Sequence, residues 1–455
     1  MDKQQKLAEG KVWSVIASLA IPTVIITLVM VIYNMADVFF IGKTGDVNMI
    51  NAISVCMPIF PIIQAFGTLI GAGGCTAISV ALGQKDVEKS KKISSFCFYF
   101  CVVVGILMAL ILNIFTDPII SMLGAAQSYR SYAVLYLRFL AIGCPVMMFS
   151  NGFVNIMRAD GSMKEPMIAN LSGTITNIIL DPIFILVFNM GVVGAAVATV
   201  LGNLLSSVIL ARLLKGKSNY ISVNPKDVSL SFDTAIHPML LGLPIASGTL
   251  LMSVSYMVIN NLLLAVSPDA QGAFGISRSI MLLSTTTQLG ICMGVQPAVS
   301  FNYGRGNIGR VKEFIKKTTI VCMTFGLLIA LICIGGRDFL LKAFIDDPSI
   351  IGYGRQILIG CFITAPIYAV YQSSVTFLQA TDRAITSTII TIMRQGLILI
   401  PAMIVLNILF GFNGLIFCFA VVDVVGAITG IIALSRHLSM KSKACNKVKE
   451  LSSAS

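Results

Sequence analysis

Two carboxylates in this chain stand where carboxylates are costly. Asp37, in Tyr33-Asn34-Met35-Ala36-Asp37, and Asp181, in Asn177-Ile-Ile-Leu-Asp181-Pro182, lie within long apolar runs. An ionisable group in a membrane helix is by default a functional group. Asn177 and Asp181 are four residues apart, so a helix puts them on one face, one turn apart. At ~1.5 Å rise per residue, Asp37 falls roughly 6 Å, Asp181 about 12 Å, Asn177 around 18 Å and Thr199 roughly 9 Å below the outer ends of their helices. All four can share one layer. Two carboxylates, an amide oxygen and a hydroxyl make an all-oxygen set suited to a small hard cation such as Na⁺, with water or backbone carbonyls completing the shell. Without a metal ion, such a pair of acids would take up a proton instead. The structural alternative is that Asn177 and Asp181 bond across a helix interface or satisfy backbone groups freed by Pro182. Asp37 is also close enough to the interface to be hydrated, so a structural reading stays open for each of the four, and is as good as the functional one for Asn177 and Thr199.

The elements that must position these residues are written twice. Leu19-Ala-Ile-Pro22 returns as Leu241-Gly-Leu-Pro244, Gly83 as Gly304, Pro145 as Pro366, and Gly191-Val-Val-Gly194 as Gly411-Phe-Asn-Gly414. The period is 221 residues for the middle pairs (304 − 83, 366 − 145) and 220 for the last (411 − 191). That is the scale of a duplicated membrane bundle, which transporters use to rock two halves about a central site. The repeat also tests the acids. Packing needs should recur, yet Asp37 is answered by Ile259 and Asp181 by Ile400, so the ion chemistry reads as belonging to the first half.

Composition agrees with a membrane. The chain is 56% hydrophobic and 11% charged, against about a quarter charged in soluble domains. Apolar runs of about 20 or more residues begin near residues 13, 50, 93, 132, 166 and 193, then near 236, 273, 314, 353, 385 and 414. The expected fold is an all-α integral membrane protein of twelve transmembrane helices in two pseudo-symmetric six-helix bundles. The expected divisions are an N-terminal lobe at 1–217, a linker at 218–234, a C-terminal lobe at 235–440 and a basic tail at 441–455.

Six helices per lobe is an even number, so the lobes are parallel copies. Basic residues at Lys3 to Lys11, Lys85 to Lys92, Arg212 to Lys226, Arg305 to Lys317 and Lys441 to Lys449 lie on one side, while few, among them Lys43, Arg130, Arg337 and Lys342, lie on the other. The positive-inside rule makes both termini cytoplasmic in a multi-pass protein of the cell's inner (plasma) membrane. Much of the +12 net charge is therefore topology and lipid contact rather than nucleic-acid binding. Met1 to Trp13 leads directly into the first span with no cleavage signal. The 11 cysteines fall mostly inside spans without metal-type spacing, as buried small apolar groups. His237 and His437, the two histidines, sit at helix ends, where an interfacial role is expected. No catalytic constellation is present, so no enzyme and no cofactor is expected.

Arg138, Arg278, Arg394 and Asp423 are the other charges in the spans. Arg394 and Asp423 fall at similar depth on consecutive antiparallel helices, which reads as a buried ion pair in preference to a second-lobe relay. Pro22 and Pro244 recur and are candidate hinges. Tyr33, Asn34, Asn151, Asn155 and Met293 are candidates to line a substrate cavity, and the 22 Met and 26 Phe residues suit one that repacks around varied molecules.

These residues resemble the multidrug and toxic compound extrusion (MATE) transporters. The resemblance rests on the helix 1 proline followed by Asp37-Val-Phe-Phe-Ile-Gly42, on Ala81-Leu-Gly-Gln84, Arg158-Ala-Asp-Gly161, Asn177 to Pro182 and Gly191-Val-Val-Gly-Ala-Ala196. It implies export of organic compounds driven by inward Na⁺ or H⁺ through alternating access. It also implies a first-lobe cation site of one branch of the family at Asp37, Asp181, Asn177 and Thr199. Members with a second-lobe acid on helix 7 or 8 are not matched, since that region holds Asn260, Asn261 and Met293. The expectation is a monomer in the lipid bilayer that handles a small organic molecule, lipophilic cations being a reasonable class, and binds no nucleic acid. Alternatives are a dedicated metabolite or peptide exporter and a lipid-linked precursor flippase. A flippase would need Arg138 and Arg278 facing the lumen.

Overall fold

A computed structural model describes residues 3–42, 44, 46–123, 125, 127–217, 219–342 and 347–454, with side chains except at 3, 30–39, 42, 47, 50, 54, 215–217, 268 and 442–454. Among the described residues it is helical throughout, with no strand. The long elements are α1 (Val12–Gly42), α2 (Ile59–Gly83), α3 (Val87–Ile114), α4 (Arg130–Ile142 with Cys144–Ile156), α5 (Lys164–Pro182) and α6 (Gly191–Lys217). The second set is α7 (His237–Val266), α8 (Pro268–Gly304), α9 (Ile308–Gly335), α10 (Pro348–Phe362 with Ala365–Ala380), and α11 (Ala384–Ile392) running through the π-helical turn Met393–Ile398 into Leu399–Ala454. That last helix breaks at Gly411 (φ 58°), and α12 is the part beyond it.

By length and composition eight helices can cross a membrane, or ten with the two bent pairs. Twelve follow because the stretch Ala384–Lys441, counted once, is α11 and α12, and because α8 is repeat-equivalent to α2 though too polar to qualify alone.

The duplication is legible in the backbone. Positive φ falls at Lys85 and Gly306, at Gly161 and Asp382, and at Gly191 and Gly411, each pair one repeat apart. Asp86 caps α3 by accepting from Lys89 N, and Asn307 caps α9 by accepting from Arg310 N, relieving the orphan donors of a first turn. Both bent helices turn just before the repeated proline, by 53° in α4 and 45° in α10.

Two compact units emerge, Ile25–Gly242 and Met1–Val24 with Leu243–Ser455. They divide inside α1 and α7, whereas the sequence expectation put the division at 218–234. Close glycine crossings account for this. A Cβ at Gly294 of α8 would lie 2.8 Å from Leu19 O and 3.0 Å from Ala20 Cα, so the first half of α1 packs with α8. Gly73 likewise abuts Pro238 O, and Gly242 abuts Leu69 O, joining the start of α7 to α2. The linker is a strap on α3. Ser90 Oγ donates to Tyr220 O at 2.7 Å, Ser94 Oγ to Ser222 O at 3.0 Å and Ser95 Oγ to Asn224 O at 2.6 Å.

His437 departs from the interfacial expectation. It is 3% exposed, with Arg383 Nε donating to its Nδ1 at 3.1 Å and its Nε2 at 3.1 Å from Thr381 O. The ring pairs with the carbonyl of buried Thr381 and with the guanidinium of exposed Arg383, so its own nitrogens are satisfied in the interior.

Candidate functional site

Glycines bring α5 against α6. A Cβ at Gly173 would lie 2.5 Å from Gly202 O, and one at Gly202 would lie 2.6 Å from Gly173 O and 2.9 Å from Asn177 Cβ. This approach carries the next turn of each helix into contact. Asn177 Nδ2 lies 3.5 Å from Asp181 Oδ1 and 3.5 Å from Thr199 Oγ1. All three residues are buried, at 2%, 0% and 1% exposure. The long separations are weak hydrogen bonds, and Asn177 Oδ1 has no hydrogen-bond partner among the described residues. Both contacts are made by the Asn177 amide nitrogen, which leaves its oxygen, with the Asp181 carboxylate and the Thr199 hydroxyl, as the oxygen set that could serve a small cation. Asp181 also precedes Pro182 and the π-helical turn Ile183–Val187, an irregularity frequent at functional sites.

The structure thus brings together Asp181, Asn177 and Thr199. Asp37, Tyr33 and Asn34 lie on α1, with side chains outside the described residues. Among the described residues no cluster of three or more His, Cys, Asp or Glu could hold a metal ion. Pro22 and Pro244 both sit inside helices.

Beside Asn177 opens a small cleft, partly open to its surroundings. Asn151 borders it, as do Gln64, Asn170, Thr174 and Asn203, with Phe60 and Met147 supplying apolar walls. Asn151, Asn155 and Asn203 direct Nδ2 to the carbonyl four residues earlier, at 2.8–2.9 Å. The amide oxygens of Asn151 and Asn203 are not used in those bonds. Asn155, one turn below Asn151, does not border the cleft, and its amide oxygen is buried without a hydrogen-bond partner among the described residues. Among the described residues no charged side chain lines the cleft. Met293, half-buried on α8, belongs to the other unit.

Sequence reasoning missed Gln64, Asn170, Thr174, Asn203, Ser150 and Ser206. Part of the signal was available, since Asn170, Thr174, Asn177 and Asp181 form one stripe at helical spacing, and Asn203 follows Thr199 by four. The remaining charges lie elsewhere. Arg138 pairs with Asp117 at 3.5 Å, both about half-exposed, and Arg278 lies over the Tyr256 ring at 3.9 Å. Arg394 and Asp423 form the expected buried pair.

With this geometry in hand, known proteins can be set beside the chain. The sequence profile of the MatE family matches residues 22–183 and 244–423, the two lobes of the repeat. The multidrug export protein MepA of Staphylococcus haemolyticus is 31% identical over 420 residues, 92% of each chain. MepA of Staphylococcus aureus is 30% identical over 429 residues, covering 93% of this chain and 94% of its own. Among solved structures, a crystal structure of MATE in the bent conformation superposes with a TM-score of 0.92 at 22% identity, covering 98% of this chain and 99% of its own. The outward-facing structure of a multidrug resistance MATE family transporter of the MOP superfamily gives 0.90 at 23% identity, covering 96% and 98%.

Proposed function

The chain belongs to the MatE family, whose members are transporters rather than enzymes, and from that premise we propose a secondary antiporter that exports small organic compounds in exchange for inward Na⁺ or H⁺. Lipophilic cations are the favoured substrates. The observation that carries the reading is the buried Asn177–Asp181–Thr199 cluster beside a cleft bordered by Asn151, Asn170 and Asn203. A carboxylate with neighbouring oxygens binds the coupling ion, together with Asp37 from α1. The cleft binds the substrate through amide oxygens that accept but carry no charge. Ion and substrate favour different conformations, and that differential affinity couples their flows. The protein works as a monomer in the cell membrane, with both termini cytoplasmic. The export of multiple drugs named for the two MepA relatives supports the substrate class.

A lipid-linked precursor flippase is disfavoured. It would need cations for a phosphate, but Arg138 is engaged by Asp117 and Arg278 by Tyr256. The test is transport of a fluorescent lipophilic cation into or out of liposomes under a Na⁺ gradient alone and a pH gradient alone, for wild type and Asp181→Asn. One gradient should drive wild-type transport and fail to drive the variant, which still folds. Unchanged transport in Asp181→Asn would remove Asp181 from the mechanism, and no transport under either gradient would sink the antiport reading.

A further inference from the structure

The first-lobe cleft has a counterpart in the second lobe, and there it is filled. Carried across the repeat, Met147, Ser150, Asn151 and Gly173 become Tyr368, Tyr371, Gln372 and Arg394 at the offset of 221 (366 − 145), while Asn203 and Ser206 become Asp423 and Gly426 at 220 (411 − 191). Packing agrees with this correspondence. Ser150 Oγ meets Ser206 Oγ at 3.0 Å, and a Cβ at Gly173 would lie 2.9 Å from Ser206 Cβ. A Cβ at Gly426 would in turn lie 3.0 Å from the Tyr371 ring and 3.1 Å from Arg394 Cδ. Residues that border open space in one lobe correspond to residues that close around a guanidinium in the other.

That guanidinium is held as a ligand is held. Arg394 Nε donates to Asp423 Oδ1 at 3.0 Å, its Nη2 donates to the same oxygen, and Thr364 Oγ1 donates to Asp423 Oδ2 at 2.9 Å. The guanidinium carbon lies 4.4 Å and 5.0 Å from the ring centres of Tyr371 and Tyr368, where the negative faces of aromatic rings attract a cation. Arg394 and Asp423 are 7% and 5% exposed. Stability alone gives no account of the pair, because apolar replacements of buried ion pairs are often no less stable. We infer that the second lobe contains a cation site permanently occupied by the chain's own Arg394. The tethered cation stands where the first lobe presents its open cleft, so exchange of ions and cationic substrates is confined to the first lobe. Only this last consequence rests on the antiport reading.

The test uses the purified full-length protein with methylguanidinium as probe. Arg394→Ala leaves Asp423 and two ring faces around a guanidinium-sized void. Its unfolding temperature should fall below wild type and be restored by methylguanidinium, with binding about tenfold or more tighter than in Arg394→Ala/Asp423→Asn. Equal binding to the single and double variants overturns the inference. So does wild-type binding as tight as that of Arg394→Ala and lost in Asp423→Asn, since the site would then be exchangeable. If Arg394→Ala yields no folded protein even with the probe supplied throughout purification, the apolar pair Arg394→Met/Asp423→Leu decides. Coupling ions bound per protein, counted by ²²Na⁺ binding and proton uptake, should equal the wild-type number, and fewer overturns the inference. Because these readouts are of binding, their failure is distinct from a failure of gradient-driven transport in the Asp181→Asn test.

Discussion

Substituting Gly173 by alanine tests whether the spacing of α5 and α6 sets the ion site. The new Cβ would sit 2.5 Å from Gly202 O and 2.9 Å from Ser206 Cβ. Ordinary contact begins at 3.4 Å, so the helices must separate by 0.5 Å (3.4 − 2.9) to 0.9 Å (3.4 − 2.5). Asn177 and Thr199, now 3.5 Å apart, would separate to roughly 4 Å, beyond hydrogen-bond reach. Overpacking costs about 1–3 kcal/mol, and the greater helix preference of alanine offsets ~1 kcal/mol of that. The fold should therefore lose only about 0–2 kcal/mol. The ion site should suffer more, because binding constellations tolerate only ~0.5 Å of misplacement, and the ion concentration for half-maximal transport should rise about tenfold or more. Gly275→Ala is the control, since a Cβ there meets nothing within 4 Å, and its ion dependence should match wild type. The assay is initial transport rate in liposomes against coupling-ion concentration. A folded Gly173→Ala protein with wild-type ion dependence would refute the argument that Asn177 and Thr199 act together on the ion.

Two further outcomes follow from named contacts. Ser94→Ala/Ser95→Ala removes the hydrogen bonds from α3 to Ser222 O and Asn224 O and from Ser222 N to Ser94 Oγ; the loss is about 2–3 kcal/mol at ~1 kcal/mol each. Trypsin should then cut faster at exposed Lys226, and unchanged cleavage would mean that the strap is held elsewhere. Arg138→Gln should leave transport and thermal stability close to wild type, because a half-exposed pair with Asp117 contributes ~0–1 kcal/mol; a loss of transport in the folded variant would instead favour a lumenal role for this arginine.

What was legible in the sequence divides along sequence separation. Asn177 and Asp181 could be paired because a helix fixes residues four apart on one face, and Thr199 joined them through a depth estimate across a short turn. The helix count was readable from apolar length. Even α8, too polar to pass a strict hydropathy threshold, showed as an apolar run beginning near residue 273. The cleft was only half legible. Asn170 and Thr174 share a stripe with Asn177, but Gln64 and Asn151 reach it through glycine crossings between distant helices, where a Cβ at Gly67 would lie 3.1 Å from Asn151 Cβ and one at Gly71 2.8 Å from Gly152 O. The glycines are themselves periodic, Gly67 and Gly71 standing four apart, but that spacing marks a close approach without naming the helix that makes it. The division of α1 between compact units was hidden for the same reason, since it depends on Gly294 lying against Leu19 and Ala20.

The repeat becomes most informative where its copies disagree. A duplicated bundle inherits the same helix ends, as the paired positive-φ residues and caps attest, because those features are needed to fold each copy. Residues at equivalent depths are free of that constraint once packing is satisfied. Asp181, beside Pro182, is answered by Ile400 beside Pro401, and Asn203 and Ser206 of the cleft are answered by Asp423 and Gly426, so one lobe presents a polar cleft beside an acid while the other carries Arg394 seated on Asp423. On the proposed reading only the first lobe exchanges its contents, and a single coupling site needs no agreement between two sites to turn over. On this argument the asymmetry of charge, rather than any asymmetry of fold, sets where transport chemistry occurs.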